Sequence, residues 1–328
     1  MPKNKILITG AEGFIGSHLV EFLLKKNYNV RAFIQYNSFN SIGWLSEIDK
    51  KYLKKIDFHF GDVRDFKNVK KAYENVSSVI HLAALIGIPY SYTSPLSYIE
   101  TNITGTYNVL ENSLQNKIKR TLITSTSEVY GTPKKIPIKE TDQLNAQSPY
   151  AATKIAADKL AESYFRSFGL NITIVRPFNT YGPRQSNRAI IPSIINQILS
   201  GKDIKVGNLS PKRDLVYIED TVSGFEKILR SKKLNGQTIH IATGKSISMK
   251  NLIKPIQQIL KVKNKILIDN KRIRPYGSEV DCLNGSNEKS IKILKWKPKI
   301  PLNIGLKSTI EWYISKYNSK ENLIDYYI

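Results

Sequence analysis

Tyr150 and Lys154 stand four residues apart in "SPYAATKIAADKLAESYFRSFG", a spacing that places both on one face of a helix. A tyrosine with its reference pKa near ~10 is a poor base at neutral pH, but a neighbouring ammonium favours the phenolate. The pair can then take a proton from a hydroxyl. A second cluster lies in "ITSTSEVYG", where an apolar run ends in Ser125, Thr126, Ser127 and Glu128. Three hydroxyls and a carboxylate at the end of a buried strand call for a polar partner.

A third constellation is "TGAEGFIGS", with Gly10, Gly13 and Gly16 directly after the strand-like "KILIT" and before the helical "FIGSHLVEFLLKK". The first glycine permits a tight turn, the second lets the backbone approach a pyrophosphate, and the third lets helix pack on strand. The helix N-terminus then points at the phosphates. A dinucleotide site of this kind usually has an acidic residue at the end of the second strand, for the ribose hydroxyls. Here Gln35, Tyr36, Asn37 and Ser38 fill that turn, and Arg31 lies inside the strand. The choice between NAD and NADP stays open at this point. Asp62 closes the third strand, where it can accept a hydrogen bond from an adenine amino group or simply cap a turn.

These groups need a scaffold that delivers strand ends to one edge. The runs "KILIT", "VRAFI", "IDFHF", "SVIHLA", "TLITS" and "NITIVRP" alternate with helix-length amphipathic segments. That alternation predicts an α/β fold, a doubly wound parallel sheet with helices on both faces. The rhythm breaks near Pro177, so residues 1–177 read as the dinucleotide-binding domain and 178–328 mainly as a smaller C-terminal substrate-binding lobe, parts of which can return to the sheet.

The chain has 328 residues and 41% hydrophobic content, enough for a large core. A single cysteine, Cys282, excludes an intramolecular disulfide and suits a reducing compartment. The N-terminal apolar run is too short for a signal peptide or a membrane span, and no other segment has the length of one. A cytoplasmic location without membrane attachment is expected. The net charge of +23 comes from scattered lysines, with no aromatic-interleaved basic stripe, so no nucleic-acid partner is expected. Four scattered histidines and no His/Cys cluster predict that no metal is needed.

With "TGAEGFIGS", "HLAA", "TSTSEVYG", "YAATK" and "RPFNTYGPRQ" in that order, the chain resembles the extended short-chain dehydrogenase/reductase family, also called NAD-dependent epimerases/dehydratases. The resemblance spans nearly all of the chain and implies a Rossmann domain, a tightly bound NAD or NADP with NAD favoured, a nucleotide-sugar substrate between two lobes, and a homodimer through helices starting near Pro95 and Pro149. It assigns Gly10, Gly13, Phe14, Ile15, Gly16, Asp62, Val63, Tyr150 and Lys154 to the cofactor. It makes Thr126, Tyr150 and Lys154 the catalytic triad and gives Asn179, Arg213 and Arg274 to the nucleotide, its phosphates and the sugar. Cys282 stands where many relatives carry an arginine, and His81 is expected to pack in the sheet.

Within the family, Thr-Ser-Glu before Val-Tyr-Gly is similar to the GDP-mannose 4,6-dehydratases, whereas the epimerases generally have no carboxylate at Glu128. The segments "IPYSYTSPLSYIETN" and "RPYGSEVDCLNGSNEKSIKILKWKP" look most like N-acetylglucosamine 4,6-dehydratases of legionaminic-acid-type pathways, which use GDP- or UDP-linked GlcNAc. The expectation is therefore a 4,6-dehydratase, with Glu128 acting at the ring carbon next to the oxidised one. UDP-glucuronate decarboxylases share Thr-Ser-Glu, but they must hold a sugar carboxylate. From Leu82 to Asn116, where the sugar-facing loop is expected, there is no Lys or Arg, which favours a neutral sugar. A 4-epimerase is a further alternative. A redox sensor that only binds dinucleotide is the non-enzyme one, and it typically lacks the Tyr/Lys pair.

Overall fold

The computed structural model describes residues 5–317. Six strands form where the apolar runs predict them: β1 (Lys5–Thr9), β2 (Asn29–Gln35), β3 (Asp57–Gly61), β4 (Val76–His81), β5 (Arg120–Thr124) and β6 (Ile172–Pro177). A seventh, β7 (Gln237–Ile241), comes from the part of the chain read as the second lobe and pairs with β6. Its thread "QTIHI" has polar residues at alternate positions, which hides it from a search for continuous apolar runs. The resulting parallel sheet has the order β7-β6-β5-β4-β1-β2-β3. Strand order reverses between β1 and β4, and the crevice at their carboxyl ends is where such a sheet takes its ligand.

Buried clusters cover both faces of the sheet. On one side α1 (Phe14–Lys25) packs beside α4 (Ile218–Arg230). On the other lie α2 (Gly105–Gln115) and α3 (Pro149–Phe168), tied by the Tyr164 hydroxyl donating to Glu111 at 2.9 Å. The chain thus leaves the sheet after Pro177 and comes back for α4 and β7. Short strand pairs outside it, Asn179–Tyr181 with Leu215–Tyr217 and Lys212–Arg213 with Cys282–Leu283, carry the C-terminal segments over the crevice.

Helix α3 has sharp ends that its sequence dictates. Ser148 is the N-cap, its side chain accepting from the Ala151 amide, Pro149 opens the helix, and Gly169 closes it in the left-handed conformation at φ 68°. Its depth is fixed by a buried ion pair: Asp158 Oδ2 accepts from Arg176 Nε at 3.1 Å and Nη2 at 2.8 Å, and from Ser125 Oγ at 2.8 Å. Arg176 Nη1 donates to the Tyr130 hydroxyl at 2.7 Å, which is itself 2.6 Å from His240 Nε2. One network therefore joins α3, the ends of β5 and β6, and β7.

Removing one partner leaves a buried charge unpaired, which costs about 3–5 kcal/mol. Asp158→Asn is expected to lose that much in urea denaturation. Asp158→Asn/Arg176→Met is expected to lose clearly less than the two single losses added. A loss below about 1 kcal/mol in Asp158→Asn would show that the pair does not hold the helix.

Candidate active site

The glycine turn is built as its sequence requires. Gly10 takes φ +67°, and a Cβ there would lie 2.8 Å from the Ala83 backbone on the neighbouring strand end. A Cβ on Gly16 would sit 2.1 Å from the Gly10 carbonyl oxygen. Gly13 caps α1 without any side-chain cap, and no acidic residue stands in the first turn, so the helix N-terminus keeps its amides open toward an anion. These features fit the pyrophosphate of a dinucleotide. Phe14 and Ile15 begin the helix, and Val63 is buried beneath Gly105. Asp62 lies beyond β3 with its carboxylate held by Arg64, whose Nη2 donates at 2.6 Å and whose backbone amide donates at 2.8 Å. Arg64 keeps the Asp62 carboxyl below its usual range.

The cluster at the end of β5 divides its labour. Ser125 turns inward to Asp158. Thr126 caps the 3-10 turn Ser127–Tyr130 by accepting from the Glu128 amide at 3.2 Å. Burial pushes the Tyr150 phenol well above its ordinary value, the nearby Thr126 hydroxyl opposes this, and the Glu128 charge adds to it. Lys154 donates to the Thr124 carbonyl oxygen at 2.7 Å. Burial pulls its ammonium down to about 8 against the opposing charge of Asp158. Thr126, Glu128, Tyr150 and Lys154 thus come together at the carboxyl edge of the sheet.

Glu128 is buried, 8% exposed, and faces two cations. Arg213 Nε and Arg274 Nη1 each approach one of its oxygens at 4.0 Å. Both guanidiniums also reach Glu279, at 3.0 and 3.4 Å. The loop after β4 is free of Lys and Arg, but the site is not, because its positive charge arrives from the C-terminal segments. Asn179 follows β6, and its side-chain oxygen is buried with no hydrogen-bond partner, as suits a residue awaiting a ligand. Cys282 pairs with Lys212 in its short strand and its sulfur lies 3.8 Å from Ser246 Oγ.

Residues 7–309 match the family described as GDP-mannose 4,6 dehydratase. The chain belongs to the NAD-dependent epimerase/dehydratase family. A UDP-glucuronate 4-epimerase of Thermodesulfobacterium geofontis is 33% identical over 97% of this chain and 96% of its own length. A dTDP-D-glucose 4,6-dehydratase of Dictyostelium discoideum is 35% identical over 78% of this chain and 62% of its own. The crystal structure of the UDP-glucuronic acid 4-epimerase from Bacillus cereus, in complex with UDP-glucuronic acid and NAD, superposes with a TM-score of 0.87 at 28% identity, covering 95% of this chain and all of that one. Relatives of both reaction types thus match the chain over most of its length.

Asn102, which its sequence context does not single out, braces the site by tying the loop after β4 to α3. It sits in a π-helical segment, Ile99–Thr104, that breaks the helical run leading into α2. Its oxygen accepts from the Leu85 amide at 2.9 Å, and its nitrogen donates to the Leu85 carbonyl and to Thr153 Oγ1, each at 3.0 Å. A buried asparagine in "ETNITGTYN" was the available signal. His81 is fully inside the sheet, bonding Thr9 at 2.7 Å and Thr106 at 3.1 Å, and burial holds it neutral by pulling it down to about 3.

Because the Lys154 ammonium exists below about pH 8 and is lost above it, the kcat/KM profile of the cofactor-loaded enzyme is expected to fall on its alkaline side near that pH. A profile flat to beyond pH 10 would mean that the charged form is not needed.

Proposed function

We propose that the chain is a nucleotide-sugar 4,6-dehydratase acting on GDP- or UDP-linked GlcNAc. The observation that carries this reading is Glu128, a carboxylate buried in the same corner as Thr126 and Tyr150. Glycine turn and open helix end would hold NAD, with Lys154 and Asp62 as further contacts. Bound NAD supplies the acceptor for the hydride of carbon 4 and the donor that returns it to carbon 6.

Tyr150 takes the proton of the 4-hydroxyl, with the Thr126 hydroxyl nearby easing the phenolate. The Lys154 ammonium is held by the Thr124 carbonyl at the end of β5. The deep burial that raises the phenol is not offset by it, so the cationic nicotinamide is what would favour the phenolate. The 4-ketone acidifies the proton on carbon 5, and Glu128 removes it. The same carboxyl group gives a proton to the departing 6-hydroxyl, so water leaves across carbons 5 and 6. As the hydride would return to carbon 6, carbon 5 takes up a proton in place of the one lost, balanced by the proton that Tyr150 releases. Ser127 cannot share this work because it has no carboxyl group. Arg213 and Arg274, with Asn179, take the diphosphate, and both arginines also lie near Glu128 and Glu279.

UDP-glucuronate 4-epimerisation is the second reading, supported by the Thermodesulfobacterium geofontis relative and by the two arginines that could hold a sugar carboxylate. Against it, epimerases of this family generally carry no carboxylate at the Glu128 position. The decarboxylase alternative shares Thr-Ser-Glu with this chain, and release of carbon dioxide from UDP-glucuronate is what would identify it. A dinucleotide sensor without chemistry would leave the Tyr150/Thr126/Lys154 arrangement without a use. Homodimer formation is proposed through the run from Pro95 to Gln115, which exposes Leu96, Ile99 and Tyr107.

GDP- or UDP-GlcNAc and UDP-glucuronate, each deuterated at carbon 4, decide among these reactions, with carbon dioxide released from the glucuronate identifying a decarboxylase. A dehydratase carries the label to carbon 6 and, in heavy water, places solvent deuterium at carbon 5. Label returned to carbon 4, with carbon 5 untouched, would identify an epimerase. Glu128→Gln is expected to block water loss by roughly 10²–10⁴ in rate, and full turnover in that variant would remove Glu128 from the reaction.

A further inference from the structure

The end of β2 has no acid for an adenosine ribose, yet a carboxylate is present there. Glu12, in the glycine turn between Gly10 and Gly13, sends its side chain across to the last residue of β2, where Oε1 accepts from the Gln35 amide at 2.9 Å. Its other oxygen, Oε2, is buried and has no hydrogen-bond partner. The backbone is fixed as well: the Glu12 carbonyl accepts from the Trp44 amide at 2.9 Å, and a Cβ on Gly43 would lie 2.9 Å from the Glu12 Cβ. Glycine at 43 lets the following chain close over the side chain. Burial raises the Glu12 carboxyl, and the Gln35 amide opposes this.

A buried carboxylate oxygen without a partner is costly unless a ligand satisfies it. The place is the one a ribose reaches when a dinucleotide lays its pyrophosphate on the N-terminus of α1 and its adenosine across the ends of β1 and β2. We infer that Glu12 is the residue that binds the adenosine ribose hydroxyls and makes the site select NAD over NADP. A 2′-phosphate would meet the carboxylate as a like charge. The nearby arginines are committed elsewhere. Arg31 bonds Asp57 at 2.8 Å and the carbonyls of Ala72 and Glu74, and Arg64 is held by Asp62. The acid has thus moved from the second strand to the glycine turn, while its target is unchanged.

This inference rests on the dinucleotide reading of the glycine turn, and its test separates the two. Purified protein is equilibrated with an equimolar excess of NAD and NADP, freed of unbound nucleotide and denatured, and the released nucleotides are quantified. The wild type is expected to retain NAD over NADP by about tenfold or more, and Glu12→Gln, which keeps the acceptor for Gln35, to lose most of that ratio. In a second exchange against 2′-deoxy-NAD, the wild type is expected to prefer NAD by about tenfold and the variant to show little preference. An unchanged NAD/NADP ratio in Glu12→Gln, or wild-type indifference to the 2′-hydroxyl, would overturn the role of Glu12. Retention of neither nucleotide by the wild type would instead remove the dinucleotide reading itself, and this inference with it.

Discussion

Arg176 and Asp158 meet at 2.8 Å with almost no exposure to water, 2% and 0%. Desolvating two charges is expensive, and their attraction repays it only with good geometry and further hydrogen bonds. Here Ser125 and Tyr130 supply those bonds. The pair sets the position of α3 against β5 and β6, and α3 carries Tyr150 and Lys154. A slip of that helix along the sheet would separate the phenol from Thr126. The chemistry at the edge therefore depends on a polar network one layer below it.

The hydroxyl-rich end of β5 becomes intelligible in this frame. Ser125 belongs to the network, Thr126 to the turn beside the phenol, and Glu128 to the arginines that arrive from the C-terminal segments. Successive residues leave a strand in different directions, so a short polar run can serve an anchor, a catalytic contact and a substrate pocket together. Asn102 performs a comparable task from the opposite side, tying the loop after β4 to Thr153 on α3. The two ties hold the tyrosine-bearing helix from both flanks.

Local features carried the readable part of the chain. Glycine spacing, the Ser148-Pro149 start and Gly169 stop of α3, and the apolar runs of β1 to β6 are short-range signals with direct physical meaning. They were enough for the sheet and for the gathering of Thr126, Glu128, Tyr150 and Lys154. Thr238 and His240 interrupt the apolar pattern of β7, and the His240 ring is satisfied only by Tyr130 and Ser286, far along the chain. Asp158, Arg176 and Asn102 look like ordinary surface polar residues until distant segments bury them. The loop after β4 has no Lys or Arg, but the expectation of a cation-free pocket drawn from it fails, because Arg213 and Arg274 reach Glu128 from another part of the chain.

In the dehydratase reading, the carboxylate at position 128 is the base and acid at carbons 5 and 6, a task that epimerisation at carbon 4 does not require. The mass of the nucleotide sugar recovered after incubation with UDP-GlcNAc or GDP-GlcNAc tests this most directly. A product lighter by one water, formed by the wild type, is the result that Glu128 predicts. Unchanged mass with an inverted carbon 4, or turnover of UDP-glucuronate while both GlcNAc compounds are left intact, would contradict it.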